Sequence, residues 1–152
     1  MIHYFCVEGE PRGKQRPRVA NGHAYTPIET RQYEDAVRLK YMASGGKEFP
    51  LRVQMKIVAY YSIPKTTTKA VRKMMLNGDV LPTRKPDCDN ILKIIADALN
   101  GIAYKDDAQV NAMAIEKRYS ETPCVAVWLT DEGLGAIDGM VEKRQSKAVD
   151  IL

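Results

Sequence analysis

The sequence predicts a single small α+β domain in which helices pack on a mixed β-sheet. Its 152 residues, 45% apolar and 28% charged, are typical of one globular domain with its own core. Stretches of alternating β-branched and aromatic residues predict strands, and between them apolar residues recur at spacings of three and four, which predicts helices. We find no internal repeat and no linker, so we expect one layered domain.

The first half of the chain predicts strands, a hairpin and two helices. The expected elements are strand 2–8, hairpin 19–25, helix 30–41, strand 51–61 and helix 68–76. The pair Asn21-Gly22 suits a tight hairpin turn, because both residues tolerate positive φ. Thr30 is the expected cap of the first helix.

The second half predicts the clearest helix and two more strands. Residues 90–100 carry a broad apolar stripe, and Gly101 stands where a helix ends. Residues 110–119 and 123–130 predict strands, which we expect to form an antiparallel pair because a short turn joins them. We therefore expect a domain over residues 1–130 and a tail over residues 131–152 that is either a short helix or mobile.

Charge, cysteine content and the absence of certain motifs limit which partners and cofactors the protein is expected to have. A net charge of +4 permits a nucleic-acid partner without demanding one. Three scattered cysteines without zinc-ligand spacing predict a reduced, cytoplasmic protein. The sequence shows no signal peptide, no apolar stretch long enough for a bilayer and no P-loop pattern, so we expect neither a membrane partner nor a nucleotide cofactor.

Acidic residues around the predicted third helix carry the most information. Asp87 and Asp89 precede it, and Asp107 follows after the chain has turned back. Asp89 is the expected N-cap, and Lys93 lies one turn further in, where it can reach a phosphate. If the acids meet, a donor set made only of oxygen favours Mg²⁺, with Mn²⁺ as the alternative, over zinc.

Each part of this pattern also has a purely structural explanation. Aspartates two residues apart are commonly caps or solvated loops, and Asp106-Asp107 suits a turn. Lys93 with Asp97 suits a surface ion pair that contributes little. Spacing alone does not bring Asp107 to Asp89, so the hypothesis of a metal site depends on the combination.

That combination resembles the RusA family of Holliday-junction resolvases, in the version found in phages and Gram-positive bacteria. The matching motifs are Asp87-x-Asp89-Asn90-x-x-Lys93, Asp97-Ala98-Leu99-Asn100 and Asp106-Asp107-x-x-Val110, with Gly13 to Arg18 and Tyr25-Thr26-Pro27 upstream. The resemblance implies a RusA-like fold. It also implies that Asp87, Asp89 and Asp107 are the catalytic, metal-binding acids and that Lys93 is an essential catalytic lysine.

The resemblance implies a function as well. The expected enzyme is an Mg²⁺-dependent homodimer that resolves four-way DNA junctions in recombination and repair. It nicks two strands symmetrically and leaves 5′-phosphate ends. Two alternatives stay open on the sequence alone, namely a junction-binding module without cleavage and a general Mg²⁺-dependent nuclease.

Basic and polar residues supply the expected DNA contacts, because affinity for DNA comes mainly from phosphates. The candidates are Lys14, Arg16 and Arg18 in the N-terminal loop, Arg84 and Lys85 before the acids, and Asn90. For the loop residues a solvated surface explains the charge equally well. For Arg84 and Lys85, nearness to the acids favours contact with DNA.

Overall fold

The computed structural model describes residues 1–150, with side chains up to residue 145, and they form an α+β domain as predicted. The strands are β1 (Ile2–Glu8), β2 (Arg18–Ala20), β3 (His23–Tyr25), β4 (Val53–Ser62), β5 (Val110–Ser120) and β6 (Cys124–Thr130). The helices are α1 (Ile28–Ala43), α2 (Lys69–Asn77), α3 (Cys88–Leu99) and α4 (Gly135–Asp150), and a short 3-10 turn spans Asp107–Gln109.

Four strands form a mixed sheet in the order β1-β6-β4-β5, and β2 with β3 forms a separate hairpin. β6 is antiparallel to both neighbours, whereas β4 and β5 are parallel. The predicted antiparallel pairing of β5 with β6 is therefore wrong. Every residue of β6 is buried, which suits an interior position, whereas β5 is half-exposed and occupies the edge. Helices α2 and α3 provide the long connection that a parallel β4–β5 pair requires.

The two faces of the sheet pack against different helices. Successive side chains of β4 and β6 point to opposite faces of the sheet. Ile57 and Val127 therefore face α1 and α3, while Val58 and Trp128 face α4. The apolar stripe predicted on α3 is confirmed, because all of its main members are fully buried. They are Ile91, Ile94, Ile95, Ala98 and Leu99.

Both predicted helix caps are wrong. Helix α1 begins at Ile28, directly after Pro27, so Thr30 lies inside the helix. Thr30 is buried there, and its hydroxyl donates to the side-chain oxygen of Gln15 at 3.3 Å. Helix α3 begins at Cys88, so Asp89 lies in the first turn and Asp87 takes the N-cap position without a capping side-chain hydrogen bond.

Beyond the sheet, the chain continues into α4, which packs on the second face. Ile137 and Val141 are buried there beside Trp128. Residues 151 and 152 of the predicted tail lie outside the described residues. Over the described part of the chain, no helix has the length and apolarity that crossing a membrane requires.

Replacing Ile137 by alanine should lower the free energy of unfolding by about 3 kcal/mol, because the change leaves a cavity under α4. The control is Met140→Ala on the same helix, which is exposed and should change stability by less than about 0.5 kcal/mol. Urea denaturation measures both. Equal, small effects would mean that α4 does not dock on the sheet in solution.

Candidate active site

Helix α3 carries the candidate site on the side opposite its buried stripe. Asp89, Lys93 and Asp97 are spaced by four residues, so they share one side of the helix. Asp89 and Lys93 are exposed, and Asp97 is partly covered. Because the buried side fixes the rotation of the helix, these side chains have a defined direction relative to the sheet.

Tyr61 at the end of β4 holds the loop that leads to Asp87. Its hydroxyl donates to the carbonyl of Pro86 at 2.8 Å, and the guanidinium of Arg84 lies 5.3 Å from its ring centroid. Lys117 of β5 donates to the carbonyl of Arg84 at 2.8 Å. Burial raises the pKa of Tyr61 to about 12, so the phenol stays protonated and keeps donating. Sequence analysis missed Tyr61 and Lys117, and nothing in their local pattern signals this role.

The two acids at the start of α3 are not used by the fold. Asp87 accepts from Lys85 at 3.0 Å, in an ion pair in which Lys85 is 84% exposed and Asp87 50% exposed. Such a surface pair contributes little and opens easily. Among the described side chains, none donates to the carboxylate of Asp89. Both carboxylates are therefore accessible to a cation from solvent.

The neighbouring acids after α3 divide into a structural residue and an exposed one. Asp106 caps the 3-10 turn, because its carboxylate accepts from the N–H of Ala108 at 2.9 Å. Gln109 completes the cap by accepting from the N–H of Asp106 at 3.2 Å, and it donates to the carbonyl of Phe49 at 3.0 Å. Asp107 is left exposed at the start of this turn.

Asp107 lies along α3 rather than at its first turn. A hydrogen bond with Asp106 raises the pKa of Asp107, and the charge of Asp97 raises it further, while Lys93 lowers it. Asp97 is about 12 Å along the helix axis from Asp89, at 1.5 Å per residue. In the described part of the chain, no three acidic, histidine or cysteine side chains form a group that could hold a metal ion. The structure therefore brings Asp107 towards Lys93 and Asp97 without gathering it with Asp87 and Asp89.

The donor set nevertheless fits a hard cation. All candidate ligands are carboxylate oxygens, which are the donors that hard divalent cations prefer. Mg²⁺ commonly takes only one or two carboxylates and keeps several waters, so it does not need all the acids in one cluster. Asp87 and Asp89 at the start of α3 are the accessible pair.

Lys14, predicted as a DNA contact, is occupied inside the protein. Its ammonium lies 2.8 Å from Glu34 of α1 and 3.2 Å from Asp97 of α3, and only 18% of its side chain is exposed. Burial lowers the pKa of Lys14 and the two carboxylates raise it, with a net rise. Arg38 adds a second cation to Glu34 at 3.7 Å. Lys14 thus ties the N-terminal loop to two helices, and a contact with DNA stays a prediction.

The other predicted DNA contacts surround the start of α3. The carbonyl of Asn90 accepts from the N–H of Lys14 at 2.9 Å. Gly13 packs so closely that an added Cβ would lie 2.9 Å from the Cβ of Pro86. The result is an open groove of about 440 Å³ beside Asp87, whose basic lining residues are Arg12, Lys14 and Lys85. Arg16 and Arg18 are exposed further along the loop.

An α+β domain with accessible acids and a lysine on one helix, next to a groove with basic side chains, has the groups that an enzyme acting on phosphodiester bonds requires. Comparison with known families is more specific. The family model for endodeoxyribonuclease RusA matches residues 8–130. The chain therefore belongs to the RusA endodeoxyribonuclease family, and the resemblance drawn from its motifs is confirmed.

A relative from Bacillus subtilis (strain 168) is also similar over most of its length. It is the uncharacterized protein YqaN, which is 35% identical over 136 residues, or 84% of this chain and 94% of the relative. The name of this relative states no activity. Membership of the family makes this chain a nuclease of the Holliday-junction endonuclease class.

Replacing Glu34 by glutamine should lower the free energy of unfolding by about 2 kcal/mol, because it weakens the hydrogen bond from Lys14 and removes the charge that pairs with Lys14 and Arg38 at a buried position. The control is Glu48→Gln at an exposed site, with an expected change of less than about 0.5 kcal/mol. Chemical denaturation measures both. If the two variants are equally stable, the network around Lys14 does not hold the loop.

In the metal-free protein, Asp107 should titrate at a higher pH than Asp106. The hydrogen bond with Asp106 raises the pKa of Asp107, whereas the N–H of Ala108 and the bond with Asp107 lower the pKa of Asp106. Carbon-13 NMR of the side-chain carboxyl groups measures both values. Asp106→Asn should lower the pKa of Asp107, and identical titrations of the two acids would contradict the assignment.

Proposed function

We propose that the protein is an Mg²⁺-dependent Holliday-junction resolvase that acts as a homodimer on four-way DNA junctions. The observation that carries this proposal is the pair of accessible carboxylates of Asp87 and Asp89 at the start of α3, which the fold does not use for capping. Membership of an endodeoxyribonuclease family gives the reaction class. Since its substrate is DNA, we place its action in the cytoplasm.

The proposed roles follow from positions along α3. Asp87 and Asp89 hold the cation, and Asp107 supplies a further carboxylate from beside the helix. A bound Mg²⁺, or Mn²⁺ in its place, would polarise the phosphoryl oxygen and lower the pKa of a bound water. Lys93, one turn beyond Asp89, offers its ammonium to the negative charge that develops on the phosphate.

The DNA strand to be cut brings its negatively charged phosphates close to the acids, so positive charges are needed there. Arg84 and Lys85 stand three and two residues before Asp87, and Asn90 lies in the first turn of α3, so together they are suited to hold a phosphate there. Displacing Lys85 from Asp87 costs little, because their ion pair is exposed. We infer hydrolysis that leaves a 5′-phosphate and a 3′-hydroxyl, the ends that ligation in recombination and repair requires.

A dimer suits this substrate. A four-way junction has two equivalent strands to cut, and two-fold protein symmetry presents two equivalent sites to them. The net charge of +4 per chain doubles in the dimer, which favours association with a substrate rich in phosphates.

Asp89→Asn should abolish nicking while preserving junction binding, because it keeps the shape of the side chain but removes the charge that holds the cation. We expect a loss of at least about a hundredfold in rate. The matched control is Asp79→Asn, an exposed aspartate in the loop after α2, which should nick like the wild type. The assay follows a labelled immobile four-way junction and a linear duplex of the same arm sequence, with Mg²⁺ or with EDTA.

The outcomes separate the proposal from its alternatives. Paired symmetric nicks in the junction alone, only with Mg²⁺, support the resolvase. Equal cutting of the duplex would make the protein a general nuclease. Junction binding without any cutting, the same in wild type and Asp89→Asn, would make it a binding module.

A further inference from the structure

One long segment of the chain contains no acidic residue. From residue 11 to residue 28 there is neither Asp nor Glu, although the chain has 19 of them. The same segment carries four basic side chains, and these are Arg12, Lys14, Arg16 and Arg18. Lys14 is paired with Glu34 and Asp97, but the three arginines are exposed, and a surface with their charge complements a polyanion.

The segment folds into a hairpin with two different faces. In the β2–β3 register, Arg18 pairs with Tyr25 and Ala20 with His23, so these four side chains share one face. Val19 and Ala24 occupy the other face. All six strand residues are exposed, with Val19 at 73% and Tyr25 at 46%. An isolated two-stranded hairpin is marginally stable in water, and both faces of this one are open to a partner.

The base of the hairpin is fixed to the wall of the candidate active site. On the β2 side, Lys14 bonds to Asn90 and Gly13 packs against Pro86. On the β3 side, the chain enters α1 through buried Pro27. Thr30 and Gln15 join the two sides by a hydrogen bond of 3.3 Å. The hairpin therefore projects from beside Asp87 with an anchored base and an exposed tip.

We propose that the Arg18–Tyr25 face of this hairpin binds the branch point of the DNA junction and supplies the preference for branched over linear DNA. This inference rests on the proposed function. At a branch point the stacking of base pairs is interrupted, so an aromatic side chain finds base faces that a continuous duplex hides. Tyr25 stacks on such a face, and Arg18 with His23 binds the neighbouring phosphates.

A second copy of the chain fits the same face poorly. If this face paired with itself about a two-fold axis through its centre, Arg18 and His23 of the two copies would come together. With no acidic residue in the segment, nothing in the hairpin offsets that repulsion. DNA provides the opposite charge and the flat apolar surface together.

The test uses the full-length protein and two variants of the proposed face, Tyr25→Ala and Arg18→Ala. The matched control is Val19→Thr, which changes an exposed side chain on the opposite face and keeps a β-branched residue. Fluorescence anisotropy in EDTA measures affinity for the immobile junction and for the linear duplex. A junction with 2-aminopurine at the branch point reports base stacking on binding, and light scattering reports mass.

Tyr25→Ala should weaken junction binding by about tenfold and duplex binding by less than about twofold. It should also remove the change in 2-aminopurine fluorescence that the wild type produces. Arg18→Ala should weaken binding to both DNAs by similar factors, because phosphate contacts do not depend on branching. Val19→Thr should bind like the wild type.

Three results would overturn the inference, and none of them depends on nicking. The first is equal junction affinity of Tyr25→Ala and the wild type. The second is an equal loss for junction and duplex in Tyr25→Ala. The third is a fall from dimer to monomer mass in Tyr25→Ala without a change in junction preference, which would make the partner a second copy.

Binding and nicking together keep the two proposals distinguishable. If the wild type binds the junction selectively without cutting it and Tyr25→Ala loses that selectivity, the hairpin inference stands and the nuclease proposal fails. If the wild type nicks junctions with Mg²⁺ and Tyr25→Ala retains the full junction preference, the nuclease proposal stands and the hairpin inference fails.

Discussion

The structure depends first on the burial of one side of α3. Five apolar side chains of this helix are removed from water between the sheet and α1, and each contributes on the order of 1–3 kcal/mol. Burial on that scale sets the rotation of the helix. The opposite side, with Asp89, Lys93 and Asp97, therefore faces outward in a fixed direction. A site on a packed helix is positioned more tightly than one on a loop.

Polar contacts then hold both ends of that helix. At its start, Tyr61 and Lys117 connect the preceding loop to β4 and β5. At its end, the hydroxyl of Tyr104 donates to the carbonyl of Ala96 at 2.7 Å and ties the following turn back to the helix. Lys14 joins the side of the helix to α1. The exposed acids need no hydrogen bond from the fold because these other residues bear the structural role.

The local pattern of the sequence predicted much of this, because it records periodicity. The stripe of α3 and the bounds of β1 and β6 follow from spacing within each segment. The order of the strands in the sheet is not recorded in this way. Strand β6 lies between β1 and β4 because both of its faces are buried, and a short stretch of sequence does not show which strands become its neighbours. The burial of Lys14 depends on Glu34 and Asp97, which are distant in sequence, so no pattern within the N-terminal loop distinguishes Lys14 from the exposed Arg16 and Arg18. The expected cap at Asp89 was wrong by two residues, because helix α3 begins at Cys88, ahead of its apolar stripe.

The position of β5 at the sheet edge has a consequence for self-association. An edge strand offers unpaired N–H and C=O groups on which another strand can add, which is a route to fibres. Here the edge carries three consecutive charged residues, Glu116, Lys117 and Arg118, half-buried along the outer strand. Adding a strand would press a neighbour against these charges and remove water from them. Lys117, which supports the loop before the acids, is thus also one of the charges that oppose polymerisation of concentrated protein through its sheet.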